Sequence, residues 1–532
     1  MKEFDYIVVG GGAGGCAVAG RLSEDPSVSV CLLEAGKDDD QLLIKVPFCT
    51  ALMLPTPINN WAFETVPQTG LNGRRGYMPR GKAMGGSTSL TAMVYTRGHP
   101  WDYDHWAALG NSDWAWNDVL PYFRKSEHNE KFRDEYHGQG GPLNVADLRS
   151  QNPFQQIYLE AARQAGFKLI DDFNGADQEG IGIYQVMQKN GERWNAARAY
   201  LAPHLASRPN LTVITQARTR RVLFAGKRAS GVEFQQGGDV QTVGATREVI
   251  LAAGAIQSPQ LLMLSGIGAG AELQGVGIPV VHDLPGVGKN LQDHPDYVFN
   301  YRAKSLDLLG LSPGGALQMV KEIGRYRRER SGMMSSNGAE GGGFLRRFAD
   351  SPAPEFQLHF VVGMIDNHAR KLHLGHGYSC HICLLRPKSV GTLALASADP
   401  LAAPRIDPNF FGDADDLDAM VDGFKLTRKL MDAPILKGIR TGEVYTERVH
   451  SDDAIREELR NRSDTIYHPV GTCKMGGDAM AVVDSRLRVH GLEALRVVDA
   501  SIMPTLIGGN TTAPTLMIAE KAADMIRRDA AG

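Results

Sequence analysis

The chain has 532 residues, of which 43% are hydrophobic and 22% are charged, and its formal net charge is −3. This length predicts more than one structural unit, and the charge argues against nucleic acid as a partner. No run of about 18 apolar residues predicts a transmembrane segment, although peripheral membrane contact stays open. The first residues lack the pattern of a signal peptide, and six cysteines in so long a chain do not suggest a disulfide framework. We therefore expect a cytoplasmic protein.

The first 35 residues predict one strand–helix–strand unit with a nucleotide-binding turn. Residues 6–9 and 28–33 have strand composition, and residues 13–24 between them are compatible with a helix. The turn contains Gly10, Gly12 and Gly15 in the pattern G-x-G-x-x-G, which lets the backbone approach a pyrophosphate at a helix N-terminus. Glu34 ends the second strand, where an acidic residue binds the ribose of a dinucleotide. This unit alone does not distinguish NAD from FAD, and a glycine-rich turn without a ligand is the alternative.

Further strands are predicted at 219–223, 248–251 and 495–499. The region 300–460 is less regular, with helical patterns around 315–330 and 416–432 and strands at 356–360 and 378–385. This order predicts an α/β protein whose nucleotide-binding domain is assembled from both ends of the chain. The pair Cys380 and Cys383 lies within one of these strands, and residues three apart on a strand point to opposite faces. We therefore predict no metal site there.

Several longer segments resemble the glucose–methanol–choline (GMC) oxidoreductases over essentially the whole chain. They are residues 81–90, 254–268, 286–294, 468–472, 498–501 and 509–514. The resemblance implies a Rossmann-like FAD-binding domain with an inserted α+β substrate-binding domain, in which helices cover an antiparallel sheet. The implied bounds are 1–155, 195–298 and 464–532 for the FAD-binding parts and 299–463 for the substrate domain, to which 156–194 contribute.

The resemblance also implies which residues bind FAD. These positions are Gly10, Gly12, Gly15, Glu34, Ala35, Gly81, Gly85, Thr91, Ala92, Met93, Val94, Val222, Ala253, Asp499, Ala500, Asn510, Thr511 and Thr512. Thr91 departs from the family, which usually has Asn or His there. Some members attach FAD through a histidine at the position of Leu90, and because leucine cannot form that bond we predict non-covalent FAD. Glu340 lies in a segment that the family places near the substrate, and a simple loop carboxylate is the alternative.

His468 and Asn510 are the predicted catalytic pair. Oxidising an alcohol requires a base for the hydroxyl proton, and histidine suits that role because its ordinary pKa of about 6.5 is close to neutral pH. Pro469 keeps residue 468 out of a helix, and the amide of Asn510 can donate a hydrogen bond to the substrate oxygen. A helix predicted to start after Asn510 would direct its positive end toward the flavin, although Asn510 could instead be only a helix cap.

The predicted activity is the oxidation of a primary alcohol to an aldehyde, with electrons passed to an acceptor other than oxygen, such as a quinone. An oxidase that makes hydrogen peroxide and a choline dehydrogenase are the nearest alternatives. The family scaffold also carries a cyanohydrin lyase activity, in which the flavin is structural. An NAD-dependent dehydrogenase would share the N-terminal unit, and a binding protein without activity would have lost His468 or Asn510.

Overall fold

A computed structural model describes residues 2–531, and two large sheets organise this part of the chain. The first sheet has five parallel strands at its centre and one edge, and an antiparallel pair extends the other edge. In spatial order its main path is Leu211–Ile214, Val30–Leu33, Lys2–Val9, Asp239–Leu251, Arg228–Gln236 and Arg218–Ala225, with Leu495–Val497 also paired to Asp239–Leu251.

The parallel register brings the carboxyl ends of distant strands to one edge of this sheet. Val9 is paired with both Leu33 and Leu251, and Leu251 is paired with Val497. In sheets of this type, ligands bind beyond the carboxyl ends of the strands. Segments more than 200 residues apart in sequence therefore meet at a single candidate site.

The helix Ala13–Leu22 packs between this sheet and the C-terminal helix Thr512–Ala530. Small residues allow this close packing. A Cβ atom on Gly14 would lie 2.1 Å from the carbonyl oxygen of Val498. The absence of a side chain at Gly14 thus lets the N-terminal helix lie directly against the backbone at Val498.

The second sheet is antiparallel throughout. Its strands are Arg440–Val444, Pro295–Ala303, Gly375–Leu384, Phe356–Val361, Ala339–Leu345 and Gly180–Ile183, with Gly310–Leu311 and Asp464–Thr465 paired at its margins. The helix Ala414–Met431 packs against the strand Gly375–Leu384. Phe424 of that helix lies 4.4 Å from the ring of Phe299, so aromatic residues fill this second core.

Shorter elements connect the two sheets. The remaining α-helices are Leu42–Lys45, Thr50–Met53, Pro100–Ala108, Trp116–Ser126, Phe154–Gln164, Ala196–Tyr200, Gly254–Leu264, Gly270–Gly275, Pro313–Glu329, Pro434–Ile439 and Asp452–Arg462. The 3₁₀ turns are Pro47–Cys49, Thr69–Leu71, Gly86–Ser89, Ser112–Trp114, Met333–Ser335 and Ala500–Ile502. Two-stranded pairs join Phe63–Glu64 to Tyr77–Met78, Glu127–Asn129 to Leu143–Val145, Gln188–Lys189 to Glu192–Arg193, Ile267–Gly268 to His282–Asp283 and Thr392–Ala394 to Arg405–Asp407.

The α/β class predicted from the sequence is confirmed, and so is each strand and helix named in that prediction. The last strand is shorter than predicted and ends at Val497 instead of Asp499. The reason is that the Asp499 carboxylate accepts hydrogen bonds from Gly254 and Ser501 backbone N–H groups, which turn the chain into a 3₁₀ turn. The bounds of the domains stay a prediction. In residues 2–531, no helix has the length and apolar character needed to cross a membrane.

Candidate active site

A cleft lies at the carboxyl ends of the parallel strands, where the sequence predicts a dinucleotide. Gly10 takes a φ of +103° in the turn after the first strand, and a Cβ there would lie 2.6 Å from the Ala252 carbonyl oxygen. At Gly12, by contrast, the nearest atom to an added Cβ is 3.9 Å away, so that position faces open space in the cleft. The turn is therefore tight on the protein side and accessible on the ligand side.

Glu34 is held in this cleft with both carboxylate oxygens in use. Oε2 accepts a hydrogen bond from the Gly11 N–H at 2.8 Å, and Oε1 accepts one from the Gly36 N–H at 2.7 Å. Burial raises its pKa to about 7, while the backbone donors oppose that rise. Each oxygen keeps a further lone pair, which suits it to accept hydrogen bonds from ribose hydroxyls.

Two helix N-termini face the cleft without neutralising groups of their own. The helices Ala13–Leu22 and Thr512–Ala530 have no side-chain cap and no acidic residue in the first turn. Gly12 and Thr511, which precede them, both line the cleft. Open backbone N–H groups and the helix dipoles suit an anionic ligand. Together with Glu34 and the glycine turn, these features fit the FAD that the sequence implies.

A second cavity lies against the second sheet and contains the predicted catalytic pair. Its wall includes His468, Asn510 and His359, together with many apolar side chains. The cavity and the cleft share four wall residues, namely Arg80, Ser87, Thr511 and Thr512. A dinucleotide that fills the cleft would therefore reach the cavity at this junction.

His468 is fixed in the cavity wall by its backbone. Its N–H donates to Asp293 Oδ1 at 2.9 Å, and Tyr467 before it takes a φ of +76°. The same carboxylate oxygen accepts from the backbone N–H of His294. Asp293 is itself buried, which raises its pKa to about 7. One buried aspartate thus positions both histidines.

The contact between His468 and His294 determines which nitrogen of His468 is free. His294 Nε2 lies 3.1 Å from the carbonyl oxygens of Leu385 and Ile507, which can only accept, so Nε2 carries the proton. Burial lowers the pKa of His294 to about 3, so the ring is neutral and its Nδ1 is an acceptor. His468 Nδ1 lies 3.0 Å from that atom and must donate to it. His468 Nε2 therefore keeps its lone pair toward the cavity.

Asn510 faces that lone pair with its amide group. Its Oδ1 accepts from the Thr96 hydroxyl at 3.0 Å and from Gln357 Nε2 at 2.9 Å. This orientation turns Nδ2 toward His468 Nε2, at 3.1 Å, and toward His359 Nε2, at 3.5 Å. Asn510 lies before the helix, whose N-cap position is Thr511, so its side chain lies in the cavity wall and does not cap the helix.

The electrostatics favour a neutral base. Burial lowers the pKa of His468 well below its usual range, and the neighbouring His294, His359 and Arg80 lower it further. Burial also lowers the pKa of His359 to about 3. At neutral pH, His468 can therefore accept a proton at Nε2.

Comparison with known proteins places this arrangement in a family. Residues 4–296 and 387–519 match the N- and C-terminal sequence profiles described as GMC oxidoreductase. The chain belongs to the GMC oxidoreductase family. It is 47% identical over 529 residues to an alcohol dehydrogenase (acceptor) of Pseudomonas putida, which covers 99% of this chain and 96% of the relative. It is 43% identical to the mitochondrial choline dehydrogenase of Homo sapiens, over 99% of this chain and 90% of the relative.

Solved structures agree with this membership. Pyridoxine 4-oxidase from Mesorbium loti superposes with a TM-score of 0.88 at 31% identity, covering 99% of each chain. A formate oxidase from Aspergillus oryzae gives a TM-score of 0.91 at 29% identity, covering 99% of this chain and 98% of the other. The predictions of a GMC enzyme, of an oxidoreductase and of FAD as its cofactor are confirmed.

The structure brings most of the predicted GMC site residues to the cleft or the cavity. The cleft contains Gly10, Gly12, Glu34, Ala35, Gly81, Ala253, Asp499, Ala500, Thr511 and Thr512. The cavity contains Thr91, Ala92, Met93, Val94, His468 and Asn510.

Four predicted residues lie outside both walls. Gly15 and Gly85 support the turns, since a Cβ on Gly15 would lie 1.8 Å from the Gly10 carbonyl oxygen and Gly85 takes a φ of +87°. Val222 is buried with its N–H donating to Ser265 Oγ. Glu340 is buried away from the cavity, where it accepts hydrogen bonds from Ser336 Oγ at 2.6 Å and from Gln155 Nε2 at 2.7 Å. Its geometry is that of a structural carboxylate.

Several residues of the site were not predicted from the sequence. They are Thr96, His294, Gln357, His359 and Arg80, each of which contacts or flanks His468 or Asn510. His294 lies at the end of the family-like segment 286–294, which was a usable signal. Gln357 and His359 alternate along the strand Phe356–Val361, so their side chains share one face, but nothing in the sequence shows that this face meets residue 510.

Proposed function

We propose that this GMC oxidoreductase oxidises an uncharged primary alcohol to the aldehyde, with His468 as the base and Asn510 as the hydrogen-bond donor to the substrate oxygen. The observation that supports this substrate class is the character of the cavity wall. It presents Phe48, Leu54, Val94, Leu309 and Ile365, while none of the described residues in the wall is an aspartate or glutamate. Apolar walls with a few convergent polar groups suit an alkyl chain that ends in a hydroxyl group.

The proton step follows from the positions of two atoms. Bound FAD supplies the acceptor for the hydride, which no side chain can take up. Asn510 Nδ2 donates to His468 Nε2 at 3.1 Å, so both groups reach the same point of the cavity. A substrate hydroxyl that replaces this hydrogen bond can donate its proton to His468 Nε2 while its oxygen accepts from Asn510 Nδ2. The hydrogen bonds from Thr96 and Gln357 hold the amide in the orientation that this requires.

Choline is the second candidate substrate, because relatives at 43% identity are choline dehydrogenases. A quaternary ammonium group would need a carboxylate or an aromatic cage. Two carboxylates lie behind the wall and do not line the cavity: Asp296 bonds to His381 Nδ1 at 2.7 Å, and Asp293 accepts from the His468 N–H at 2.9 Å. The uncharged alcohol therefore remains the preferred substrate.

An anaerobic substrate screen tests the assignment. Primary n-alkanols of increasing chain length should bleach the flavin absorbance of the purified protein, and choline should bleach it more slowly. Asn510→Ala should slow bleaching about a hundredfold, in the range reported for loss of one oxyanion donor. Bleaching by choline alone would contradict the substrate class, and an absence of bleaching by any alcohol would favour the cyanohydrin lyase alternative.

The electron acceptor is proposed to be a quinone and not oxygen, in line with the acceptor-dependent alcohol dehydrogenase of Pseudomonas putida. Reduction of a soluble quinone analogue should exceed hydrogen peroxide formation in air. Peroxide formed in proportion to the aldehyde would instead identify an oxidase. A quinone acceptor also implies peripheral contact with a membrane on the cytoplasmic side.

FAD is proposed to be bound without a covalent link. Leu90, at the position where some GMC members carry a flavin-linked histidine, is buried in the cavity wall and offers no nucleophile. Denaturation and filtration should release the yellow colour into the filtrate. Flavin retained on the unfolded chain would contradict the proposal.

A further inference from the structure

A group of exposed apolar side chains lies in two chain segments next to the cavity-wall residues Leu309 and Ala369. It consists of Leu306, Leu311, Leu317, Val320, Leu372 and Leu374, which are between 45% and 79% exposed. We call this group the mouth face. Single exposed leucines are ordinary, but a concentration of them in two short segments is not.

The helix Pro313–Glu329 exposes apolar side chains to solvent and buries polar ones, which is the reverse of an ordinary surface helix. Glu322 and Tyr326 are its buried residues, whereas Leu317 and Val320 point outward. The buried face is held by hydrogen bonds, since Glu322 Oε2 accepts from the Met333 N–H at 2.7 Å and the Tyr326 hydroxyl donates to the Gly191 carbonyl. The outward apolar stripe is thus a fixed property of the folded protein.

Backbone contacts connect the mouth face to the cavity. Leu311 pairs with Leu374, and a Cβ on Gly314 would lie 3.4 Å from the Leu306 side chain. Leu309, between these residues, pairs with Gly363 and lines the cavity itself. Leu309 and Ala369, which are partly exposed residues of the cavity wall, therefore lie next to this apolar surface.

The mouth face is basic, although the protein as a whole is not. Residues 302–330 contain seven Lys or Arg and three Asp or Glu, in a chain of net charge −3. The last turn of the helix carries Arg327 and Arg328. Arg370 and Lys371, which precede Leu372, are paired with Glu64 at 3.9 Å and Asp366 at 3.7 Å. Exposed apolar residues flanked by cations are typical of helices that lie in the interface of an anionic membrane.

We propose that the mouth face docks this protein on the surface of a bilayer that contains anionic phospholipids. A second copy of the chain is the less suitable occupant, because a symmetric dimer through this face would bring the two basic groups together. Docking would place the cavity opening against the lipid. The docking proposal depends on the proposed function in one respect only: docking would let an apolar alcohol or a quinone reach the cavity from the membrane.

Vesicle sedimentation tests the proposal on the FAD-loaded, full-length protein without substrate. Wild type should pellet with vesicles of phosphatidylglycerol and phosphatidylcholine and much less with phosphatidylcholine alone, and salt should weaken the binding. The double variant Leu317→Glu/Val320→Glu should lower the partition coefficient by about tenfold or more, since it removes two inserted side chains. Arg327→Glu/Arg328→Glu should lower it by about tenfold as well.

Val240→Glu is the matched control, since Val240 is 54% exposed on a hairpin of the first sheet, outside the mouth face. It should bind vesicles like wild type. The proposal is overturned if wild type stays in the supernatant, if Leu317→Glu/Val320→Glu pellets as well as Val240→Glu, or if that double variant instead dissociates a dimer. Turnover with a soluble dye acceptor is measured in parallel. Normal vesicle binding by a protein that oxidises no alcohol would refute the proposed function and still support the docking surface.

Discussion

At the scale of single residues, the proposed chemistry depends on the contact between the rings of His294 and His468. The carbonyl oxygens of Leu385 and Ile507 fix the proton on His294, and His294 in turn fixes the proton on His468 Nδ1. A chain of hydrogen bonds that ends on backbone carbonyls cannot reverse its direction without leaving a buried polar atom unpaired. The position of the lone pair on His468 Nε2 is therefore a consequence of the fold around His294.

The pH dependence of the reaction should reflect the burial of His468. The base must be unprotonated, and burial lowers its pKa below the ordinary value of 6.5. As the pH falls, kcat/KM should therefore stay constant through 6.5 and decline only at lower pH, when the imidazole takes up a proton. Steady-state assays across the acidic range measure this limb. An apparent pKa at or above 6.5 would show that His468 is more solvated than the structure indicates.

Substitution of His294 should separate its positioning role from its packing role. His294→Leu removes the acceptor for His468 Nδ1, so the wrong tautomer becomes populated and flavin reduction should slow by about tenfold or more. His294→Asn keeps an acceptor oxygen and should lose less. Stopped-flow reduction, pH profiles and FAD content of both variants provide the measurement. Equal losses, or loss of bound FAD in both, would indicate packing alone.

At the scale of elements, glycines set how closely the N-terminal helix approaches its neighbours. The helix Ala13–Leu22 lies against the loop after Leu495–Val497 because Gly14 has no side chain. Gly324 has no such role. Gly324, in the helix Pro313–Glu329, would place a Cβ 3.4 Å from the flexible end of Arg328 and from nothing else within 4 Å.

Alanine at these two helical glycines should have opposite effects. Gly14→Ala forces the helix away from the Val498 carbonyl and should lower the free energy of unfolding by about 1–3 kcal/mol, with loss of FAD. Gly324→Ala should raise it by about 0.5–1 kcal/mol, because it restricts the unfolded chain without strain in the folded one. Denaturant titration and flavin content of the two variants test this. Destabilisation by Gly324→Ala would mean that its helix is strained.

At the scale of the whole molecule, buried ion pairs connect segments far apart in sequence. Arg496 is only 2% exposed and bonds to Glu248 at 2.6 Å and to Asp529 at 2.6 Å. It thereby joins two strands of the first sheet to the C-terminal helix that follows Asn510. The pair Arg488–Asp484 spans four residues at 2.7 Å, and the arginine side chain is 54% exposed.

Loss of the buried arginine should be far more costly than loss of the exposed one. Arg496→Met leaves Glu248 without its ion partner and Asp529 with Arg486 alone, and should lower the free energy of unfolding by about 3 kcal/mol. Arg488→Met should change it by at most about 1 kcal/mol, because water screens the exposed pair. Chemical denaturation of both variants provides the comparison. Similar losses would show that the network of Arg496 is not a stabilising connection.

The sequence by itself determined the local features of this protein. The glycine turn, Glu34 and the strand and helix patterns depend on neighbouring residues, so they could be predicted, and the family-like segments identified His468 and Asn510. These features depend on backbone geometry and on residues that are close together in sequence, so they can be recognised without knowledge of the tertiary structure.

Only the tertiary structure decided what surrounds that pair. The contact of His294 with His468 joins residues 174 positions apart, and that of Gln357 with Asn510 joins residues 153 apart. Strand pairing and packing between the two sheets create these contacts, and no local pattern encodes them. The contacts of Glu340 were also decided only by the tertiary structure. This residue lies in a segment that the family places near the substrate, but its carboxylate accepts hydrogen bonds from Ser336 and Gln155. The protonation state of the proposed base, His468, is thus a property of the folded molecule, because burial and hydrogen-bond direction exist only after folding.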